Sequence, residues 1–377
     1  MNVLIINLIL TTAEKGVITR RKSIADTMIS CLARGFVKLG HQVTLLASEE
    51  FKPTKPESHE FNIIYFKSLL PCIFKPALLP WPKGLCSYLN KNIKNFDIVV
   101  SSEAFSLGTL IASYTCGKKL MVWQEMAYHQ KLFHKIPSKL WHNVIALKPL
   151  RHNLIIPRSK PAQDFIKKYA QHVSNELVDN PADPQVLYSS NHSTHSMIVV
   201  SQLIKRKNVD KIIDIFGRFV NKPKFNGYLL HIIGDGKERD NLLRIIKENH
   251  LEQNVLLHGF LPHHELNSYL RSAKALLVKT SMDLNMVTIP EAIVSGTPVV
   301  MNTVPTTASF VANNHLGLVD DNWDENTLAK LIEDYDSMHE ACIKARDSLT
   351  NVGCAKKMIE IFDNFINPHT LPNQNIT

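Results

Sequence analysis

The sequence predicts an α/β protein of two doubly wound, mostly parallel-sheet domains facing each other across a cleft. Three observations lead there. Short apolar runs of strand length alternate with helical stretches, the pattern of a parallel sheet covered on both faces. The alternation occurs twice, and the two series are separated by "ELVDNPADPQVLYSSNHSTHS" (176–196), whose Asn, Pro, Asp and Ser are loop chemistry. The chain has 377 residues, more than one core holds, since single cores stop growing near roughly 250 to 300 residues.

In the first series, "NVLIINLIL" and "HQVTLLAS" are strands flanking "KSIADTMISCLARGFVKLG", which is apolar at helical spacing and stops at Gly40. The strand "FNIIYF", a helix near 84–95, the strand "FDIVVSS" and a helix through "GTLIASYTC" follow. The strands "KLMVW" and "HNLIIPRS" and the helical "PAQDFIKKYA" complete the series. The hinge is placed at 180–192. The second series runs "SMIVVSQLI", helix "NVDKIIDIFGRFV", "GYLLHIIG", helix "ERDNLLRIIKENH", "NVLLHGF", helix "HHELNSYLRSA", "ALLVKT", a helix containing Glu291, and "PVVMN". This gives domains at 1–185 and 192–350. The stretch 351–377 holds "AKKMIEIFDNFI", a helix far from any strand that is expected to cross back to the first domain, and a frayed tail. Ligands of such sheets bind outside the carboxyl ends of the strands, and the site is sought there.

Composition narrows the class. Hydrophobic residues make up 45% and charged residues 20%, as in a packed globular protein and unlike a disordered or fibrous one. The six cysteines form no C-x-x-C pair and no zinc-finger spacing, so they read as reduced, mostly buried thiols in a cytosolic protein. "MNVLIINLIL" lacks a charged leader region and is too short to span a membrane; it reads as a first strand. The net charge of +9 is concentrated in the first half. Residues 61–96 carry lysines without any acid, and 117–160 carry many basic residues against Glu125 alone. Such a face is either merely solvated or meets an anionic partner, a membrane surface or a phosphate-bearing substrate.

"SMDLNMVTIPEAIVSGTPVV" (281–300) puts Asp283 and Glu291 eight positions apart. On one helix their carboxylates would be about 12 Å apart along the axis, too far to share a proton or a metal. Pro290 is tolerated only in a first turn, and Thr288-Ile289-Pro290-Glu291 has the S/T-x-x-E form of a capping box, so the helix is expected to begin near 288 with 283–287 as a loop. The free amides of such a helix start suit an anion, with a carboxylate on either side. A nucleotide-sugar has that shape. Asp283 would then take sugar hydroxyls, Glu291 ribose hydroxyls, and the amides of Leu284, Asn285 and Met286 the diphosphate. Equally, Glu291 caps its own helix and Asp283 is a turn residue.

The chain resembles the retaining glycosyltransferases of family 4, in the motif just quoted and at "IGDGKERDNL", "VLLHGFLPHHEL", "LGHQVTLLAS" and "NPADPQVLY". The resemblance implies the GT-B fold and extends over nearly the whole chain. It also places "SQLIKRKN" (201–208) on the family's phosphate-binding segment, with Lys207 on its lysine and Gln202 where the family has arginine, leaving Lys205 or Arg206 to replace that charge. Gly16 falls in the loop after the first strand, followed by Arg20 and Arg21. Gln124 and Glu125 stand where the family often has a histidine near the reacting carbon, so the proton acceptor is Glu125, the donor phosphate or His129. Base recognition by backbone is implied near Phe260 and Leu261, although "HGF" reads equally as a strand ending in a core aromatic.

No metal site is expected. His192, His195, His263 and His264 read as surface histidines, and "DYD" (334–336) lies in a helical pattern where i and i+2 diverge. The segment "SLLPCIFKPALLPWPKGLCSYLNKNIKN" (68–95) mixes apolar and basic residues and reads either as a headgroup-layer contact or as a packed loop. The function expected is metal-independent, retaining transfer of a sugar from a nucleotide diphosphate to a glycan or lipid-linked acceptor, with no separate cofactor and no nucleic acid, at the cytoplasmic membrane face. A non-catalytic nucleotide-sugar binder is the alternative. An NAD-dependent oxidoreductase is a more distant one, because no G-x-G-x-x-G follows the first strand.

Overall fold

The computed structural model describes residues 1–11, 17–18, 20–130, 135–145, 148–190, 193–282 and 286–367. The chain divides into two compact units, Met1–Asn180 with Asn351–Thr377, and Pro181–Thr350.

The first unit holds strands β1 (Asn2–Ile6), β2 (Gln42–Ser48), β3 (Asn62–Phe66), β4 (Ile98–Ser102), β5 (Leu120–Gln124) and β6 (Leu154–Pro157). Its helices are α1 (Met28–Lys38), α2 (Leu85–Asn92), α3 (Leu107–Thr115), α4 (Ile136–Leu140) and α5 (Lys160–Ile166). The second unit holds β7 (Ser196–Val200), β8 (Leu229–Ile233), β9 (Val255–Gly259), β10 (Leu276–Val278), β11 (Val299–Met301) and β12 (Gly317–Val319). Its helices are α6 (Val209–Val220), α7 (Arg239–Glu248), α8 (His263–Leu270), α9 (Thr288–Val294), α10 (Ala308–Asn313), α11 (Glu325–Glu333) and α12 (Tyr335–Ala345); α13 (Asn351–Ile366) belongs to the first unit.

The two sheets run β3-β2-β1-β4-β5-β6 and β12-β11-β10-β7-β8-β9, every pairing parallel. Counted within each unit the order is the same, so each sheet reverses direction between its first and fourth strands. Those reversals are the crevices where doubly wound sheets take ligands. Each sheet is apolar on both faces. In the first unit one face (Val3, Ile5, Val100, Trp123) packs under α1 and α13, and the other (Leu4, Ile6, Val99, Val122) under α2 and α3.

The strands follow the apolar runs, but two elements differ from expectation. Helix α1 starts only at Met28, because Thr27 has extended backbone and its hydroxyl accepts from the Ser30 amide, a cap within the run that had read as continuous helix. The second sheet has a sixth strand, β12, whose three residues "GLV" are too few to show periodicity.

Helix α13 crosses α1 where Gly35 leaves no room for a side chain: a Cβ there would lie 2.0 Å from the Asn351 carbonyl oxygen. In the second unit His231 on β8 and His258 on β9 meet through Nδ1 and Nε2 at 2.9 Å. Burial lowers both rings below the usual 6.5, and for His231 the neighbouring ring adds to it.

Two outcomes follow from this packing. Gly35→Ala destabilises the protein by roughly 1–3 kcal/mol in urea unfolding, because backbone cannot move aside as a side chain does, whereas Gly227→Ala, with nothing within 4 Å of the new methyl, has a much smaller effect. For the histidine pair, the unfolded chain binds protons first as pH falls, so the pair's contribution is complete above 6.5 and lost as pH drops through the lowered values. Urea midpoints measured between pH 7.5 and 5.5 therefore fall less steeply in His258→Leu than in the native protein.

Candidate functional site

In the second unit the crevice lies between β7 and β10, and the two loops leaving those strands are the ones that carry the sequence candidates. After β7 comes the turn Lys205–Lys207, ended by Asn208 at φ 48°. After β10 comes the stretch 279–287. The Arg206 carbonyl accepts three hydrogen bonds from the second loop: the Ser281 amide at 2.8 Å, and the Thr280 and Ser281 hydroxyls at 3.1 Å each. The Asn208 amide group donates to the Lys279 carbonyl at 2.7 Å, and Asn302 donates to that of Thr280 at 2.7 Å. Two segments more than seventy residues apart are thereby one rigid edge. Ser201, Lys207, Thr280 and Met286 line a small cavity beside it.

The third loop, "GDGK" after β8, packs against the same edge. A Cβ at Gly234, where φ is +136°, would meet the Ser201 carbonyl oxygen at 1.8 Å, and one at Gly236 would lie 2.3 Å from that of Leu203. These glycines serve backbone approach within the protein. That use differs from a dinucleotide fingerprint, which turns its glycines toward a pyrophosphate.

Helix α9 begins at Thr288, as Pro290 requires, but the capping box is not made. Val287 is the capping position and no side chain caps the helix. The Thr288 hydroxyl is enclosed without a partner. Glu291 instead points into a buried setting, 7% exposed, where its Oε1 meets Nε2 of His263 at 2.9 Å. His263 is the first residue of α8; it had read as a surface histidine and is indeed partly exposed, but it has a buried partner that the sequence reading did not give it. The pairing has a simple cause: Glu291 is flanked by the buried Pro290, Ala292, Ile293 and Val294, and a carboxylate placed there needs a nearby donor. Thr288 and His263 carry no local signal that sets them apart, since their roles appear only when α8 and α9 are packed together.

The remaining second-unit candidates are more open. Gln202 is exposed, as is Lys205, and the Arg206 guanidinium reaches the Met282 carbonyl at 3.4 Å. Leu261 is half-buried. Phe260 is 80% exposed, so "HGF" does not end in a core aromatic. Asp334 sits at the junction of α11 and α12, with Asp336 in the first turn of α12. His195 lies against Tyr228 with the rings tilted, and His264 lies beside Glu265. Among the described residues no three His, Cys, Asp or Glu side chains are grouped to hold a metal ion. Asp283, Leu284, Asn285, Gly16 and His192 lie outside the described residues.

In the first unit the residues after β4, β5 and β6 form a partly buried polar knot. Gln124 is fully enclosed; its Oε1 accepts from the Ala104 amide at 2.9 Å and its Nε2 donates to the Met126 carbonyl at 3.0 Å. The side chain expected beside the reacting carbon is thus spent on joining two loops. Glu103, at φ 66°, accepts from the Glu125 and Met126 amides at 2.7 and 3.1 Å. Burial pushes its carboxyl up to about 7, against the opposing pull of Arg158, and pushes Asp179 up to about 6. Arg158 lies 3.7 Å over the Trp123 ring and donates to Glu125 Oε2 at 2.7 Å. Glu125 itself keeps 48% of its side chain in solvent. His129 is held by Ser138 and Tyr169 at 3.0 Å each, and burial lowers its pKa, with Lys139, Lys135 and Lys168 adding to the effect. Arg20 and Arg21 are exposed.

Residues 188–348 match the family model described as Glycosyl transferases group 1. A poly(ribitol-phosphate) alpha-N-acetylglucosaminyltransferase of Staphylococcus aureus (strain COL) is 27% identical over 179 residues, 45% of this chain and 34% of the relative; the chain thus spans about a third of that protein's length. Among solved structures, a glycosyltransferase from Rickettsia africae superposes with a TM-score of 0.66 at 12% identity, covering 97% of this chain and 98% of that one. The Anabaena protein HepE in complex with UDP superposes at 0.65 and 15% identity, covering 97% and 100%. Sucrose-phosphate synthase from Thermosynechococcus elongatus does so at 0.63 and 14% identity, covering 97% and 99%. At such identities the structural likeness establishes the fold. The chain has the two-domain GT-B fold, and its residues 188–348 carry a domain similar to the group 1 glycosyl transferases.

Proposed function

We propose that the protein is a retaining, metal-independent glycosyltransferase that moves a sugar from a nucleotide diphosphate to a glycan or lipid-linked acceptor. One observation carries the reading: the lysine turn and the loop leading to Glu291, distant in sequence, are bound together at the reversal point of the second sheet, where a ligand of such a sheet binds. The second unit then holds the donor. Lys207 neutralises the diphosphate as the bond to the sugar breaks, with Gln202 and the amides near Leu284, Asn285 and Met286 beside it. Asp283 takes the sugar hydroxyls, Glu291 the ribose, and Leu261 backs the base. UDP-sugars are the donors to test first, because HepE was solved with UDP and with UDP-glucose and the Staphylococcus aureus relative is an N-acetylglucosaminyltransferase.

The first unit supplies the acceptor surface in this reading. Glu125, reachable by solvent and ion-paired with Arg158, is the carboxylate nearest to the role of proton acceptor there, while Gln124 and Glu103 hold its backbone in place. Retention calls for no further nucleophile if the departing phosphate assists attack from the same face. Gly16 is assigned backbone approach to the phosphate or the acceptor.

We further propose that the first unit rests on an anionic membrane surface. Leu70 and Ile73 are 54% and 72% exposed at the tip of an excursion bracketed by Lys67, Lys75 and Lys83. A second apolar stripe, Ile136, Leu140 and Val144 at 62%, 54% and 64% exposed, recurs every four residues beside Lys135 and Lys139. Lysines flanking exposed apolar groups suit a headgroup layer. Among the described residues no helix is long and apolar enough to cross a membrane.

In assays with UDP- and GDP-sugars, Asp283→Asn and Glu291→Gln each lower kcat/KM by roughly tenfold or more, the cost of one charge-assisted hydrogen bond, with the thermal midpoint unchanged; native rates in both variants refute the site. Lys207→Ala weakens UDP binding more than uridine binding, read by calorimetry. Flotation with anionic and neutral vesicles recovers protein on the anionic ones, and Ile136→Ser with Leu140→Ser reduces that recovery; equal recovery on both vesicle types refutes the membrane contact.

A further inference from the structure

Glu291 is a buried acid of the proposed donor site, and what holds it is a residue from another helix. A carboxylate has two oxygens and about four acceptor positions. Deep among Pro290, Ala292, Ile293 and Val294, it is costly to leave unsatisfied. His263 places Nε2 at 2.9 Å from Oε1, while keeping 32% of its own side chain in solvent. The pair is therefore at the surface of the second unit on the histidine side and inside it on the carboxylate side. One oxygen held in this way sets the plane of the carboxylate and the direction in which its other acceptor positions face.

We propose that His263 is a positioning residue that fixes the Glu291 carboxylate for a vicinal ribose diol, and so sets the preference of the site for ribonucleotides over 2′-deoxyribonucleotides. The inference rests on the reading of Glu291 as the ribose contact. A diol offers two hydroxyls to one carboxylate, and both bonds are short and straight only if the carboxylate does not turn. Without the histidine donor the group is free to rotate and is poorly compensated where it lies. The loss then falls on the 2′-hydroxyl contact. A merely structural role of His263 would weaken all nucleotides alike.

The test uses the full chain with UDP, GDP and their 2′-deoxy counterparts as probes, read by isothermal titration. The native protein prefers the ribo form of whichever base it binds. His263→Ala weakens the ribo form roughly tenfold, the loss of one hydrogen bond to a charged group, and the 2′-deoxy form less than about twofold. His263→Gln, whose terminal amide can stand near Nε2, restores most of the preference. In the Glu291→Gln background, His263→Ala has no further effect on the preference. Equal weakening of ribo and deoxy forms, or an undiminished preference in His263→Ala, overturns the proposal while leaving the donor site standing. Failure of the native protein to bind either UDP or GDP overturns the donor reading and this inference together. Should His263→Ala not fold, the Gln variant and the Glu291→Gln protein still decide it: a ribo preference undiminished in Glu291→Gln refutes the role.

Discussion

The second unit depends on one carbonyl. The Arg206 oxygen gathers the Ser281 amide and the hydroxyls of Thr280 and Ser281, joining the loop after β7 to the loop after β10. A carbonyl has two lone pairs, so three donors share them and leave the oxygen saturated. Asn208 can serve in this arrangement because its backbone turns left-handed, a conformation that asparagine tolerates better than most residues. The glycines of the loop after β8 then let a third segment close on the same edge. What a ligand would meet is therefore three segments locked at backbone level, with side chains such as Lys207 and Met286 projecting from a fixed frame. Preorganisation of this kind keeps the ordering cost out of the binding step.

The first unit solves a comparable problem with charge. Glu103 sits at the reversal point of its sheet and spends both oxygens on the amides after β5. Gln124 joins the loops after β4 and β5 from beneath. Arg158, stacked on Trp123, draws Glu125 and Asn180 together. Burial raises Glu103 and Asp179 toward neutrality, and Arg158 pulls the other way. Such a knot adds little net stability, since desolvation offsets attraction, but breaking one partner leaves a charge stranded. Its use is to hold the backbone around Glu125 in one shape.

Several readings of single residues changed when the packing was seen. Thr288 and Glu291 have the letters of a capping box, yet Val287 and not Thr288 is the capping residue of α9, and Glu291 is taken by His263. Phe260 was open to being a core aromatic and is exposed. Gln124, which the resemblance placed where the family has a histidine, is enclosed and bonded to the loops after β4 and β5. These differences have the same origin. A local pattern specifies which bonds a side chain is able to make, while the partners it meets come from elsewhere in the chain.

The amino-acid sequence by itself determined the alternation of strands and helices, the two-sheet plan, the start of α9 through Pro290 and the residues worth testing, because periodicity, proline and turn chemistry act over a few positions and leave their mark there. Only the tertiary structure decided which loops share an edge, that His263 answers Glu291 and that the half-buried Glu103 lies in the knot with the buried Arg158. Those contacts join residues tens of positions apart, and β12 is too short to declare itself. Where the energy of a polar group depends on its burial and on a partner brought by another strand, no local stretch of sequence contains the information.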